Sequence, residues 1–128
     1  ARFMPFYHSE HRQPGPYRDL HPEPIFDIHP DTAIDLDIAD GDWCWIETHM
    51  GRIKQRARKT SIVDPRVISI QHDWWFPEQD GEEPNLFGVW KSNFNSLVPH
   101  MNIGKLGFGA PYKGVMCNMR RVRGLNQD

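Results

Sequence analysis

The chain contains 128 residues, which is enough for one domain with a single modest hydrophobic core. The formal charge is −2, the mean hydropathy is −0.66, and no apolar run approaches the roughly 20 residues of a spanning helix. These values exclude a membrane-spanning chain and a generally basic nucleic-acid binder, and an aromatic content of 12% requires burial and so excludes wholesale disorder. The first residue is Ala1, and no signal peptide follows it, so we expect a processed chain or a piece of a longer one.

The first 30 residues contain six of the eleven prolines, so this region is predicted to consist mainly of loops and extended segments. Apolar residues at positions 3–7 and 25–28 indicate two short strands. The polar run at 9–13 follows the first of them. It suits a solvated loop or the rim of a binding site, because Arg and His donate to phosphate while Ser and Gln bind the edge of a heterocycle.

The middle of the chain predicts more regular structure. A two-turn helix is predicted over residues 31–36, because its apolar residues recur with helical spacing and Pro30 stands at an allowed first position. A β-hairpin follows, with strands over 42–48 and 52–60 that are joined near Gly51.

The two hairpin strands carry different side chains. In the first, Trp43 and Trp45 alternate with Cys44 and Ile46, so both faces are partly apolar, as in a barrel wall that also packs on something outside it. The second strand places four basic residues on one face: Arg52, Lys54, Arg56 and Arg58. We interpret this face as the solvent side of an edge strand, with a ligand-binding rim as the alternative.

The rest of the chain adds predicted strands over residues 67–72 and 114–122, with a long polar loop over 76–95. The sequence therefore predicts a mainly β fold with about five strands and one or two short helices. Residues 19–51 contain nine acidic residues and neither Lys nor Arg. This segregation of charge indicates either a two-faced contact surface or simple solvation.

No complete catalytic constellation is present in the sequence, which has neither a G-x-S-x-G motif nor a P-loop. His8 and His11 lie on either side of Glu10, but no further ligands stand at a convincing spacing, so we predict no metal site. Cys44 and Cys117 are interpreted as buried, reduced thiols, and a disulfide between them is left open.

A glycine-rich segment contains Gly104, Gly107 and Gly109 and leads to Lys113. Glycines let a backbone approach phosphate closely, and a lysine supplies a point charge. Such segments are more often simple turns, so the phosphate site and the turn both remain open at this point.

Six short runs stand in a characteristic order of helix, Gly-Asp turn, strand, tight turn, strand and closing motifs. They occupy residues 28–33, 38–43, 46–53, 74–78, 93–97 and 111–113. In this order they resemble the C-terminal molybdopterin-dinucleotide-binding domain of the dimethyl-sulfoxide-reductase family of molybdenum and tungsten oxidoreductases. The similarity covers nearly the whole chain.

The resemblance implies a double-psi β-barrel formed by a single domain, residues 1–128, at the end of a longer catalytic subunit or as a small separate subunit. It implies molybdopterin guanine dinucleotide as the cofactor, carrying molybdenum or tungsten. The isolated chain can lack this cofactor, because half of the pocket would come from missing domains. No residue of this chain is assigned a catalytic role, since the cofactor performs the chemistry and this domain holds it.

The resemblance also assigns cofactor contacts. Ser9, His11 and Arg12 match the first cofactor loop and are the candidates for the pterin and diphosphate. Asn95 matches an asparagine whose amide can bind the edge of a heterocycle. The family's closing pair, expected near pterin or phosphate, is Tyr112 and Lys113.

Two positions depart from the family pattern. Asp37 stands where a glycine usually ends the helix, and Asp tolerates the left-handed conformation better than most residues. Asp73 stands where a glycine often precedes the tryptophan pair, and it brings a carboxylate near an anionic ligand. The pair itself, Trp74 and Trp75, is expected to shape the wall of the site.

The expected partners are the remaining domains of the catalytic subunit and an electron-transfer subunit, without nucleic acid or membrane contact. The substrate and the compartment are left open, with the cytoplasm favoured over the periplasm. One alternative is a β-barrel module that stacks single-stranded nucleic acid or glycan on Trp43, Trp45 or Trp90. A decarboxylase-like double-psi enzyme is a third reading, for which the sequence holds no self-cleavage or nucleophile motif.

Overall fold

A computed structural model of the chain describes residues 1–99 and 114–123. Within these residues the chain forms one five-stranded mixed sheet. The strands are β1 (Ile25–Ile28), β2 (Trp43–Thr48), β3 (Gly51–Lys59), β4 (Ser69–Ile70) and β5 (Asn118–Arg121), in the spatial order β4-β1-β3-β2-β5. The pair β1–β3 is parallel and the other pairs are antiparallel.

Short helices connect the strands in the described part of the chain. The α-helices are α1 (Gly15–Leu20), α2 (Pro30–Asp35) and α3 (Val89–Ser92), and two 3₁₀ helices cover Leu86–Gly88 and Phe94–Leu97. The expectation of a mainly sheet structure is confirmed, but the described residues contain three α-helices rather than one or two. None of the helices in residues 1–99 and 114–123 is long and apolar enough to cross a membrane.

The predicted hairpin is confirmed. Strands β2 and β3 pair from Thr48 opposite Gly51 to Trp43 opposite Arg56, so a two-residue turn joins them. The position of β3 differs from the expectation, because β3 lies between β1 and β2 at the centre of the sheet and is not an edge strand. Its basic face still reaches solvent, because Arg52 and Arg58 are exposed, and the Arg52 guanidinium also lies 4.2 Å from the centre of the Trp45 ring.

Alternate side chains of β2 and β3 face the same side of the sheet and form part of the hydrophobic core. Ile53 and Ala57 of β3 point to the same side as Cys44 and Ile46 of β2, and all four are buried. The core is completed by Phe26, Ile28, Ala33, Ile38 and Leu97. Burial of these side chains is the main stabilising contribution to the sheet.

The helix predicted after Pro30 is confirmed as α2. Pro30 is its first residue, and the His29 ring nitrogen Nδ1 accepts a hydrogen bond from the Asp31 amide at 3.2 Å. The chain then turns through Asp37, whose φ is +54°, as the departure from glycine at this position predicts. The turn lets the Ile38 side chain enter the core.

Both cysteines are free, as predicted, although only Cys44 is fully buried. Burial raises the pKa of the Cys44 thiol to about 12 and also raises the pKa of the half-buried Cys117 thiol. Neither thiol is therefore a nucleophile at neutral pH, which agrees with a packing role.

Two predictions for the N-terminal region are wrong. Residues 3–7 contain a turn at positions 4 and 5 and no strand, and residues 15–20 form α1 where loops were expected. The reason for the first is that Phe3 and Phe6 are buried by packing around the His21 ring, which a strand with alternating faces would not allow. In α1, proline occupies the first turn, where its missing amide is tolerated.

Two further predictions are wrong in extent. The segment over residues 76–95, predicted as a long loop, contains a 3₁₀ helix and α3, and Ser92 in α3 contacts β3 by donating to the Lys54 carbonyl at 2.7 Å. The strand predicted over residues 67–72 is reduced to the two residues of β4. The last strand, β5, lies within the predicted range of 114–122.

Candidate functional site

The N-terminal loop and the segment that follows β4 lie against each other beside the sheet. His8 and Arg12 belong to the first, and residues 72–76 belong to the second. The Arg12 nitrogen Nη2 donates to the His8 carbonyl at 2.9 Å and is 3.5 Å from the Asp73 carbonyl. One guanidinium therefore ties the two segments together.

Arg12 is almost completely buried, with 1% of its surface exposed. Its guanidinium lies between two aromatic rings, 3.9 Å from the centre of Phe6 and 4.6 Å from the centre of Trp74. Burial, reinforced by the nearby Arg18 charge, lowers the pKa of Arg12 to about 10. The group stays positively charged at neutral pH and forms a fixed positive charge beneath the loop surface.

Two nitrogens of Arg12, Nε and Nη1, are buried without a hydrogen-bond partner among the described residues. A buried donor without a partner is unfavourable by about 1–3 kcal/mol, and more for a charged group. Such donors are uncommon in native structures, and an absent water, ion or ligand is one explanation for them. The chemistry of these donors suits an anionic oxygen.

Asn95 lies far from Arg12 in the sequence but contacts the same residue, Asp73. It lies in the 3₁₀ helix Phe94–Leu97, where the Asn93 side chain accepts a hydrogen bond from the Asn95 amide at 3.0 Å. The Asn95 side-chain nitrogen Nδ2 donates to the Asp73 oxygen Oδ1 at 2.8 Å. The structure thus brings Arg12 and Asn95 together around Asp73.

Ser9 and His11 lie on the exposed rim of the same loop. The Ser9 carbonyl accepts a hydrogen bond from the Trp75 ring nitrogen at 2.7 Å, which fixes the loop to the tryptophan pair. His11 has a φ of +65°, its ring is 5.6 Å from the Tyr17 ring, and its Nε2 is 3.7 Å from the Glu10 carboxylate. Both residues are accessible to a ligand that approaches this rim.

The last two predicted contacts, Tyr112 and Lys113, lie outside the described residues, as does the glycine-rich segment before them. Four of the six predicted site residues can therefore be placed. Ser9, His11 and Arg12 lie in the N-terminal loop, and Asn95 lies in the 3₁₀ helix Phe94–Leu97. Arg12 and Asn95 both contact Asp73, and Ser9 contacts Trp75.

Sequence reasoning missed the buried polar links beneath the site. The Gln71 oxygen Oε1 lies 3.0 Å from the His21 Nε2 atom and accepts from the Ile25 amide at 3.1 Å. The Gln55 amide donates to the Gln71 carbonyl at 2.9 Å and the Ser92 carbonyl at 2.8 Å. These links join β1, β3 and α3 to the residues that directly follow α1 and β4, and the only signal in the sequence is a glutamine at an inward position of β3.

Sequence reasoning also missed His72 and the role of His8. The nearest partners of His8 are His72, whose Nε2 is 2.9 Å from the His8 Nδ1, and Asp73, whose Oδ2 is 3.8 Å from that atom. His11 belongs to neither contact. The signal available in the sequence was a histidine followed by Asp73, an acidic residue at a position where the family pattern often has glycine.

Comparison with known protein families identifies the family of this chain. Residues 3–116 match the family described as the molydopterin dinucleotide binding domain. The chain belongs to the molydopterin dinucleotide binding domain family.

Two curated relatives are a dopamine dehydroxylase from Eggerthella lenta and an acetylene hydratase from Syntrophotalea acetylenica. The first is 44% identical over 100 residues, which is 77% of this chain and 9% of the relative. The second is 39% identical over 81 residues, which is 63% of this chain and 10% of the relative. The chain therefore spans only about a tenth of the length of these relatives.

A solved structure shows the same fold. The acetylene hydratase from Pelobacter acetylenicus superposes with a TM-score of 0.82 at 29% identity, covering 91% of this chain and 16% of that one. The mixed sheet with few short helices is therefore the fold of one part of a much larger protein.

The alternative of a module that stacks bases or sugars is not supported. Trp45 is 6% exposed, and the cations of Arg52 and Lys54 lie over its ring at 4.2 and 5.2 Å from its centre. Arg56 likewise lies over the Trp43 ring at 4.9 Å. The two hairpin tryptophans are occupied by side chains of this chain, so they do not form an open stacking platform.

Proposed function

We propose that this chain holds molybdopterin guanine dinucleotide for a molybdenum or tungsten oxidoreductase, through the loops that carry Ser9, His11, Arg12 and Asn95. The observation that carries the proposal is the meeting of Arg12 and Asn95 at Asp73, because the two residues come from distant parts of the sequence. Family membership supplies the cofactor class. The guanine form is part of the proposal.

The donors at this place fit such a ligand. Arg12 offers Nε and Nη1 without partners among the described residues, and the positive charge complements a diphosphate. Asn95 is exposed, and its amide can both donate to and accept from the edge of a pterin or guanine. When bound, the cofactor supplies the redox chemistry of the enzyme, and this chain supplies position and charge.

The Asp73 carboxylate lies at the same rim and repels a diphosphate. We therefore assign the phosphate contacts to Arg12 and Lys113 and the heterocycle edge to Asn95, with Ser9, His11 and Tyr112 as further contacts. Arg12 is 1% exposed, so a ligand reaches its free nitrogens only where the loop over residues 8–12 moves outward. The proposal therefore requires this loop to open for entry of the ligand and to be held by the ligand once it is bound.

The chain is proposed to be one domain, residues 1–128, at the C-terminal end of a longer catalytic subunit, with its sheet completed into a double-psi β-barrel. The small share of the relatives that the chain covers supports this assignment. The remaining domains supply the rest of the pocket, and an electron-transfer subunit and a cytoplasmic location are parts of the same proposal.

The test replaces Arg12 and Lys113 by alanine together in the full-length enzyme. The double variant is expected to lose most of its pterin and its molybdenum or tungsten, as measured by oxidised-pterin fluorescence and elemental analysis. Arg66→Ala is the matched control, since the side chain of Arg66 is 89% exposed and pairs only with the neighbouring Asp64 among the described residues. Unchanged pterin and metal in a folded double variant would refute the assignment.

A further inference from the structure

Three side chains at the junction of the two loops each place one ligand atom within 4.8 Å of the other two. They are the His8 Nδ1, the His72 Nε2 and the Asp73 Oδ2 atoms. We propose that these three residues bind a divalent transition-metal ion of the zinc type, a site that goes beyond cofactor binding. Two imidazoles and a carboxylate are donors that suit zinc.

The distances fit one ion. The His8 and His72 nitrogens are 2.9 Å apart, and the Asp73 oxygen is 3.2 Å from the His72 nitrogen and 3.8 Å from the His8 nitrogen. In a tetrahedral zinc site with bonds of about 2.0–2.1 Å, neighbouring ligand atoms are about 3.3 Å apart. The three separations lie on both sides of that value, so an ion fits with small side-chain adjustments.

Two of the three ligands are oriented by outer hydrogen bonds. The second ring nitrogen of His72, Nδ1, is 2.5 Å from the Ala1 carbonyl, which requires it to donate. The Nε2 lone pair therefore accepts from the His8 Nδ1 in this structure, and a metal ion would take the place of that proton. The other oxygen of Asp73, Oδ1, accepts from Asn95 at 2.8 Å. Metal-binding histidines and carboxylates are typically held by such partners.

The backbone also holds the ligands in unusual conformations. His8 has a φ of +53° and Asp73 a φ of +57°, and this left-handed region is unfavourable for residues other than glycine. Residues that persist in such conformations cluster at sites that bind ligands. At position 73 the family pattern often has glycine, which adopts this left-handed conformation without strain. The backbone therefore does not require the Asp73 carboxylate, which is an addition of this chain.

The access suits a bound cation. Arg12, on the buried side, directs its Nη2 at the His8 and Asp73 carbonyls, although its charge also acts on the Asp73 carboxylate. The His8 side chain is 52% exposed, so the fourth position of the ion is open to water or to an anionic oxygen.

The experiment measures zinc in the full-length protein. The protein is stripped with a chelator and dialysed against Zn²⁺, and zinc per polypeptide is determined by elemental analysis. Wild type is expected to bind one equivalent more than Asp73→Gly and His8→Gln, with affinity at this site reduced by more than about tenfold in each variant. Asp73→Gly keeps the left-handed backbone without strain, so it separates ligand loss from misfolding.

His49→Gln is the control, because this exposed histidine lies in the β2–β3 turn and outside the cluster, and it should leave the zinc content unchanged. Equal zinc in wild type, Asp73→Gly and His8→Gln would overturn the proposal. Pterin is measured on the same samples. A failure of the cofactor proposal appears as unchanged pterin in the Arg12 and Lys113 variant, whereas a failure of the metal proposal appears as unchanged zinc in the Asp73 variant.

Discussion

Single residues in this chain act mainly through backbone conformation and buried charge. Asp37 and Asp73 both adopt left-handed φ angles, and both stand at positions where the family pattern favours glycine. The sequence indicated the conformation of Asp37 from its place after a helix. It could not indicate that the Asp73 carboxylate meets Asn95, His8 and His72, because that meeting depends on loops that are distant along the chain.

A pair of substitutions tests the left-handed conformation at Asp37. In this conformation a β-carbon is unfavourable, so Asp37→Gly is expected to be more stable than Asp37→Ala by about 1 kcal/mol. Asp35, two positions earlier, is the last residue of α2, and there the order reverses, with alanine better than glycine by up to about 1 kcal/mol. Urea denaturation of the four variants measures both differences, and the same order at both positions would contradict the assigned backbone.

At the scale of elements, the local signals were sufficient for α2 and for the β2–β3 hairpin. A proline at the first helical position and a two-residue turn between alternating strands are encoded within a few residues. The short helices α1 and α3 were missed because their sequences are rich in proline or polar residues and are too short to show helical periodicity. The contacts between the basic side chains of β3 and aromatic rings also depend on neighbouring strands and loops rather than on β3 itself.

The buried link from α1 to β4 predicts a pH dependence of stability. Burial lowers the pKa of His21 below its ordinary value of 6.5, and the Arg12 and Arg58 charges add to this effect against the hydrogen bonds to Met4 and Gln71. His21 therefore binds a proton more readily in the unfolded chain than in the folded chain. The stability from neutral His21 is fully present above about pH 6.5 and decreases as the pH falls from there toward the lowered pKa.

Urea denaturation at pH 5 and pH 7.5 measures this effect. Wild type should be less stable at the lower pH, and His21→Gln should show a smaller difference between the two conditions. His49→Gln, which changes an exposed histidine in the β2–β3 turn, should keep the wild-type difference. An equal pH difference in wild type and His21→Gln would show that His21 does not carry it.

At the scale of the whole molecule, the sequence predicted a mainly β domain and the family, and both are confirmed. It did not predict the strand order, in which β3 lies between β1 and β2 and pairs with β1 in parallel. That order depends on long-range pairing and is not written in any local pattern. The candidate site follows from it, since the sheet sets where the loops carrying Arg12, Asp73 and Asn95 meet.

The most direct test of the central claim is hydrogen–deuterium exchange on the full-length protein with and without its cofactor. If these loops grip the cofactor, peptides covering residues 8–13, 72–75 and 93–97 exchange more slowly in the loaded protein, because binding orders the loop over Arg12. Peptides covering the β2–β3 turn at His49 and Met50 should be unchanged and serve as the internal control. Unaltered exchange in all three loop segments, with protection confined to other parts of the chain, would contradict the account.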